Sequence, residues 1–226
     1  MGEINKMKTA PLGDLAEIHL GKVILKDDIT SRGNARVAGI SNMTEQGIDY
    51  DHMETARVTE EDVAKYEIRE HDVLITCRGT KFRAVLVEKK PEDLVIASGN
   101  LMIVRCENPL EAAVIQLYLQ SPMGEAEVMN QQQGKTSINL GKKQLLSLEI
   151  PVIKEESKKK MVQQWKQGWE KYMNIIFEAE QEWRGTVDTI NQYFEGIEEK
   201  DELVSSKESR AVQHKKSKDR LLIELD

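Results

Sequence analysis

The sequence predicts an α+β protein: a β-rich globular domain followed by one long, coiled-coil-like amphipathic helix. Three observations carry this reading. Short aliphatic runs separated by glycine-bearing turns concentrate before residue 106, and helical patterns follow it. Pro151 then interrupts the chain, because proline lacks a backbone donor and forces an extended residue before it. Beyond it, apolar residues recur with the period of a single helix face. The expected organisation is a flexible tail over 1–8, a globular domain over 9–153, a long helix over 154–199 and a polar, disordered tail over 200–226.

Taken in order, residues 12–18 alternate loosely before Gly21 and read as a short strand and turn. Residues 36–40 form a second strand candidate, with a turn around Gly47. Thr59 with Asp62 three positions on, and acids in the first turn, signals a helix start. Residues 73–77 are the best strand. The run breaks at Arg78-Gly79-Thr80-Lys81-Phe82-Arg83 and resumes over 84–87, which reads as a hairpin. Residues 94–97 and 101–105 are expected to form a further pair around Ser98-Gly99-Asn100. A helix is predicted over 110–120, stopped by Ser121-Pro122, and a second over 125–132. Residues 131–152 then join a polar loop to Leu140, Leu145, Leu148 and Ile150, which should anchor that loop to the core.

In the helical run, Met161, Trp165, Trp169, Tyr172, Ile176, Ala179, Trp183, Val187, Ile190, Phe194 and Ile197 follow one another at steps of three and four. The steps average about 3.6 residues, one continuous stripe. A helix of about 40 residues is about 60 Å long, more stripe than the preceding domain can cover. An antiparallel or intersubunit helix pair is expected, with packing on the chain's own domain as the alternative.

Composition narrows the function. Of 226 residues, 31% are charged and 5% aromatic, and the net charge is −7. A lone nucleic-acid binder is usually basic, since phosphate neutralisation supplies most of its affinity. Any positive charge used on DNA must therefore be local or supplied by partners. No window approaches ~18 consecutive apolar residues, so no membrane span is expected, and the first residues carry no apolar signal segment. Cys77 and Cys106 stand outside any CxxC, and the four histidines never fall at ligand spacing, which points to reduced thiols in the cytoplasm and to no metal site.

Catalytic patterns are thin. Asp72 followed by Glu88-Lys89-Lys90 mimics the acid-then-acid-x-lysine spacing of metal-dependent nucleases. In so charged a chain, Asp72 more simply caps a strand and the lysines belong to a solvated turn. A methyltransferase would need a glycine-rich cofactor loop and an Asn/Asp-Pro-Pro-aromatic motif, and neither is present. Gly134-Lys135-Thr136 lacks the first glycine of a phosphate-binding loop, with Met129 in its place. The binding signals are stronger. Arg78, Lys81 and Arg83 share one hairpin tip, while Lys135, Thr136, Ser137 and Asn139 share another loop, followed by Lys142 and Lys143. Arginine and lysine serve phosphates or guanine edges, and asparagine pairs with adenine.

These residues carry a resemblance. Pro11-Leu-Gly-Asp-Leu-Ala-Glu-Ile18 with Gly21, Val37-Ala-Gly-Ile-Ser-Asn-Met43 with Gly47, and His71-Asp-Val-Leu-Ile-Thr76 with Arg78-Gly79 come first. Ser98-Gly-Asn100 and Gly134-Lys-Thr-Ser-Ile-Asn-Leu140 with Leu148-Glu-Ile-Pro151 follow in the same order. Over residues 11–200 the chain resembles one half of a specificity (S) subunit of type I restriction-modification systems. Gln163-Gln164 hold the place of the glutamine-rich helix start. The resemblance implies a non-catalytic subunit whose target recognition domain reads one half of a bipartite double-stranded DNA site. Its helix would set the distance to the other half and dock methyltransferase subunits. S-adenosylmethionine, ATP and Mg²⁺ would belong to partner methyltransferase and restriction/translocase subunits, not to this chain. A full S subunit has two recognition domains and two helices, so the resemblance implies pairing with itself or with another half-length chain. A protein-interaction adaptor working through the helix alone is the runner-up, and a metal-dependent nuclease the third reading.

Overall fold

The computed structural model of the chain describes residues 8–89, 91–131 and 137–195. Strands and helices run in the order β1 (Thr9–Pro11), β2 (Glu17–Leu20), β3 (Ala35–Ala38), β4 (Met43–Thr44), β5 (Gly47–Ile48), β6 (Glu54–Ala56), α1 (Glu60–Tyr66), β7 (Val73–Thr76), β8 (Arg78–Gly79) and β9 (Ala84–Leu86). There follow β10 (Val95–Ala97), β11 (Leu101–Arg105), α2 (Pro109–Gln120), α3 (Pro122–Asn130), β12 (Ile138–Asn139), α4 (Lys142–Leu146), β13 (Glu149–Pro151) and α5 (Glu155–Glu195). The chain divides into two units between Lys159 and Lys160.

The first unit is built on an antiparallel sheet ordered β2-β11-β7-β9. Its central strands are continuous apolar runs because both faces are covered. Val73 and Ile75 point into a cluster with Met102, Val104, Ile115 and Leu119. Leu74, one position along, points the other way, towards Met43, Ile68, Leu101 and Ile103. This is the two-residue alternation of a strand, with each face buried against its own layer. A smaller sheet, β10-β3-β6, encloses a third cluster of Ala35, Val37, Ala56, Val58 and Ile96, on which Val63 and Tyr66 of α1 pack. β1 pairs with β13, so the two ends of the unit are sewn together; the Val152 N–H extends the contact to the Lys8 carbonyl at 2.8 Å.

Local signals set several boundaries. Thr59 caps α1: its hydroxyl accepts from the Asp62 N–H at 3.2 Å, and its own N–H donates to the Asp62 carboxylate at 3.0 Å. Ser121 caps α3 and Pro122 opens it, so that helix begins three residues before the predicted start. Gly124 lets α3 turn tightly against α2, since a Cβ there would lie 2.0 Å from the Tyr118 carbonyl oxygen. In place of a strand over 12–18, residues Leu12–Asp14 form a 3₁₀ turn, and the strand begins at Glu17. The cause is Leu12, fully buried, whose N–H donates to the Leu148 carbonyl at 2.8 Å.

One pairing differs from expectation. β10 and β11 do not form a hairpin. β10 lies parallel to β3, whereas β11 sits between β2 and β7. The Ser98-Gly99-Asn100 turn, closed by Leu101 N–H on the Ser98 carbonyl at 2.9 Å, is a corner that passes the chain from one sheet to the other.

In the second unit α5 is unbroken to Glu195. Trp165 stacks on Trp169 at 5.7 Å between centroids, and Trp169 meets Tyr172 at 5.4 Å. Met161, Trp165, Trp169, Ile176 and Val187 are half-buried. Tyr172, Trp183, Ile190 and Phe194 are exposed, Trp183 by 66% and Phe194 by 86%. Ile197, the tail expected over 200–226 and residues 1–7 of the N-terminal tail lie outside the described residues.

Candidate nucleic-acid interface

The site grows from the end of β7. Thr76 is fully buried, yet its hydroxyl has work at both edges of the turn that follows. It donates to the Lys81 carbonyl at 3.0 Å and accepts from the Arg83 N–H at 2.8 Å, while the Thr76 N–H donates to the Arg83 carbonyl at 2.9 Å. Three bonds at one residue close the loop that carries Arg78, Lys81 and Arg83. Gly79 makes the turn possible. Its φ of +123° is strained for any L side chain, and a Cβ would stand 3.3 Å from Ile40 Cδ1.

β8 then pairs antiparallel with β12, placing Arg78 opposite Asn139 and Gly79 opposite Ile138. The Leu140 N–H continues the ladder to the Cys77 carbonyl at 2.9 Å. Arg78 of the first predicted loop and Asn139 of the second therefore belong to one short ribbon. Its faces alternate: Cys77, Ile138 and Leu140 are buried in the main core cluster, while Arg78 and Asn139 are exposed. Lys81 and Ser137 are exposed close by in sequence, and Arg83 is half-buried. Lys135 and Thr136 lie outside the described residues.

Behind the ribbon, Gln144 of α4 ties the segment together. Its side-chain oxygen accepts from the Gly141 N–H at 2.8 Å and its amide donates to the Gln131 carbonyl at 2.7 Å. Leu145, Leu148 and Ile150 are fully buried, the anchoring that the sequence predicts. Lys142 and Lys143 are exposed on α4, and Lys142 lines a shallow groove of about 380 Å³ with His19, Lys65, Tyr66 and Arg105. Sequence reasoning missed Thr76 and Gln144 as positioning residues. A threonine closing an apolar strand just before a basic turn was the available signal for the first; Gln144 had none.

Asp72 belongs to the frame rather than to chemistry. It is 1% exposed, receives Arg105 Nε at 2.8 Å and Nη2 at 2.7 Å, and accepts the Arg69 N–H at 2.7 Å. These hydrogen bonds push the Arg105 guanidinium further up from its already high value. The carboxylate of the nuclease-like spacing is thus spent on a buried ion pair. Burial likewise pushes the Cys77 thiol up, against the opposing charge of Arg78, and raises Cys106 to about 12. Neither thiol is poised as a nucleophile. Among the described residues no three or more His, Cys, Asp or Glu side chains gather as metal ligands, and no helix is long and apolar enough to cross a membrane.

The family model for the type I restriction modification DNA specificity domain matches residues 4–167. No curated protein sequence matches the chain. In fold, the chain is similar to part of a structure described as the structural basis underlying complex assembly and conformational transition of the type I R-M system. That likeness has 16% identity and a TM-score of 0.58, over 85% of this chain and 45% of the other. It is also similar to the HsdS subunit from Thermoanaerobacter tengcongensis, at 16% identity and a TM-score of 0.50, over 76% of this chain and 39% of that one. The chain thus spans less than half the length of either. The family model covers more than half of the chain, from the first strand into the start of α5, and this chain belongs to the type I restriction modification DNA specificity domain family.

Proposed function

We propose that this chain reads one half of a bipartite double-stranded DNA site and carries methyltransferase subunits to it, with no catalytic group of its own. The β8–β12 ribbon is the observation that supports this most. It presents Arg78 and Asn139 outward from a buried backing, with Lys81, Ser137, Lys142 and Lys143 exposed in the flanking segments. Such a ribbon suits the major groove, which admits two antiparallel strands. The overall charge of −7 is compatible with this use because segments 78–83 and 131–143 carry Arg78, Lys81, Arg83, Lys135, Lys142 and Lys143 and no acidic residue, and partners enclose the rest of the DNA.

The second recognition domain comes from a second copy of this chain, or from another half-length chain, paired antiparallel through α5. Two features of the helix support that pairing. Trp183, Ile190 and Phe194 expose large apolar surface along one stripe. Net charge also changes sign along the helix: Lys158, Lys159, Lys160, Lys166 and Lys171 outnumber Glu155, Glu156 and Glu170 in its first half, although Lys158 is paired with Glu111, and Glu178, Glu180, Glu182, Asp188 and Glu195 outnumber Arg184 in its second. An antiparallel copy sets the basic half of one helix beside the acidic half of the other. S-adenosylmethionine, ATP and Mg²⁺ are bound by the methyltransferase and restriction/translocase partners, in the cytoplasm.

Methylation mapping of a genome exposed to this chain with its methyltransferase subunits tests the proposal. Two short fixed sequences separated by an unspecified spacer are expected. Inserting four residues near Gly185 adds about 6 Å while roughly keeping the stripe in phase. With a rise of about 3.4 Å per base pair, the spacer should grow by one to two base pairs and the half-sites should stay unchanged. Altered half-sites with an unaltered spacer would overturn the ruler. An adaptor acting through its helix alone would give no defined sequence at all.

A further inference from the structure

We infer that Arg78 and Asn139 act as one reading unit that recognises a guanine and an adenine on adjacent base pairs. This deepens the DNA-reading proposal and rests on it, but it has its own geometry. The two residues are direct cross-strand partners in the β8–β12 ribbon. The ladder bond from the Leu140 N–H to the Cys77 carbonyl falls on the neighbouring pair, which leaves Arg78 and Asn139 at the narrow, non-hydrogen-bonded spacing. Side chains opposed there start roughly 4.5–5.5 Å apart and leave the sheet together. Their neighbours Cys77, Ile138 and Leu140 are buried, so the outward direction belongs to this pair.

The chemistry of the two side chains differs in a way that selects different bases. A guanidinium only donates, and its fork matches the O6 and N7 acceptors of guanine. A carboxamide both donates and accepts, which matches N7 and the N6 amino group of adenine. Base pairs stack at about 3.4 Å, so two groups that start this close reach neighbouring steps. Gly79 φ and the Thr76 bonds hold the ribbon in the shape that sets this spacing.

The test is methylation mapping of genomes exposed to the methyltransferase complex carrying the unaltered chain, Arg78→Ala, Arg78→Lys or Asn139→Ala, with circular dichroism confirming that each variant folds. The unaltered complex should give a half-site in which guanine and adenine are adjacent. Both Arg78 variants should relax the guanine alone, because lysine keeps the charge but loses the fork. Asn139→Ala should relax the neighbouring adenine alone. Discrimination at the relaxed position should fall roughly 5- to 150-fold. A clear motif without that dinucleotide, relaxation at separated positions, Arg78→Lys matching the unaltered chain, or a uniform loss in every variant would each overturn the pair while leaving DNA reading intact. Absence of any sequence-defined methylation by the unaltered complex would instead bring down the DNA-reading proposal and this inference together.

Discussion

The central sheet of the first unit and the later part of α5 treat their apolar residues in opposite ways. In the first, each large aliphatic side chain of β7 and β11 is covered, because alternate positions point into different clusters on either side of the sheet. The polar side chains it does bury, such as Asp72 and Thr76, are hydrogen-bonded within the unit. In α5 the pattern is reversed after Tyr172: Trp183, Ile190, Tyr193 and Phe194 stand exposed among polar and charged neighbours. Burying such a side chain contributes ~1.5–3 kcal/mol, which this helix has yet to gain. The difference teaches that the sheet of the first unit buries its own strands, while the helix leaves large apolar side chains exposed, the surface on which the proposed association rests.

The sharpest way to break that comparison is to charge the stripe. Trp183→Asp combined with Ile190→Asp should cost association about 3–6 kcal/mol, from two side chains at ~1.5–3 kcal/mol each, and leave domain melting unchanged. Light scattering and pull-down with the methyltransferase subunit would read the first effect, and calorimetry the second. Intact association in both assays would mean that the stripe is not the contact.

Next in size is Arg105→Ala, which leaves Asp72 buried at 1% exposure without its bidentate partner. A loss of about 3–5 kcal/mol in domain stability is expected, measured by urea unfolding followed on a domain-specific probe. Self-association through the helix should persist wherever the domain is still folded. A loss under ~1 kcal/mol would show that the pair is not part of what makes the domain self-sufficient.

Thr76→Val keeps the shape but strands the Arg83 N–H and the Lys81 carbonyl. It should lower stability by about 1–3 kcal/mol and weaken DNA binding more than that change explains, because the ribbon loses its closure. Normal binding at a salt concentration where Arg78→Ala binds poorly would separate the loop's shape from its charge.

The smallest effect concerns pH. The hydrogen bond from Lys22, first, and the capping bonds at Thr59 hold the Asp62 carboxyl below its ordinary value of 3.8. A lowered folded-state value means stabilisation that is present above 3.8 and is lost as pH falls through the lowered value. Asp62→Asn should therefore lower Tm slightly at neutral pH, where the Lys22 ion pair is lost, and flatten the decline on the acid side of 3.8, where the carboxylate of the unaltered chain is losing its charge. An unchanged acid limb would assign the decline to other carboxylates.

Features closed within a few residues were legible in advance. Thr59 with Asp62, the stop of α2 at Ser121-Pro122 and the hairpin between β7 and β9 are all local arrangements, which side-chain chemistry and turn residues specify directly. The stripe of α5 was legible for a related reason, since helix periodicity is a property of one segment. The candidate site was legible only in part. Its residue types and exposed positions could be named, but not the fact that Arg78 and Asn139 belong to one ribbon.

By itself, then, the sequence determined which strands are apolar, where α1 starts and α2 stops, and that a β-rich domain precedes a long amphipathic helix. The tertiary structure alone decided that β10 joins β3 rather than β11, that Arg105 reaches Asp72 across 33 positions, and that Arg78 stands opposite Asn139. The physical reason is that alternation tells a strand which face to bury but not which strand to pair with. That choice is settled by non-local packing of whole faces, after the entropy of closing long loops has been overcome.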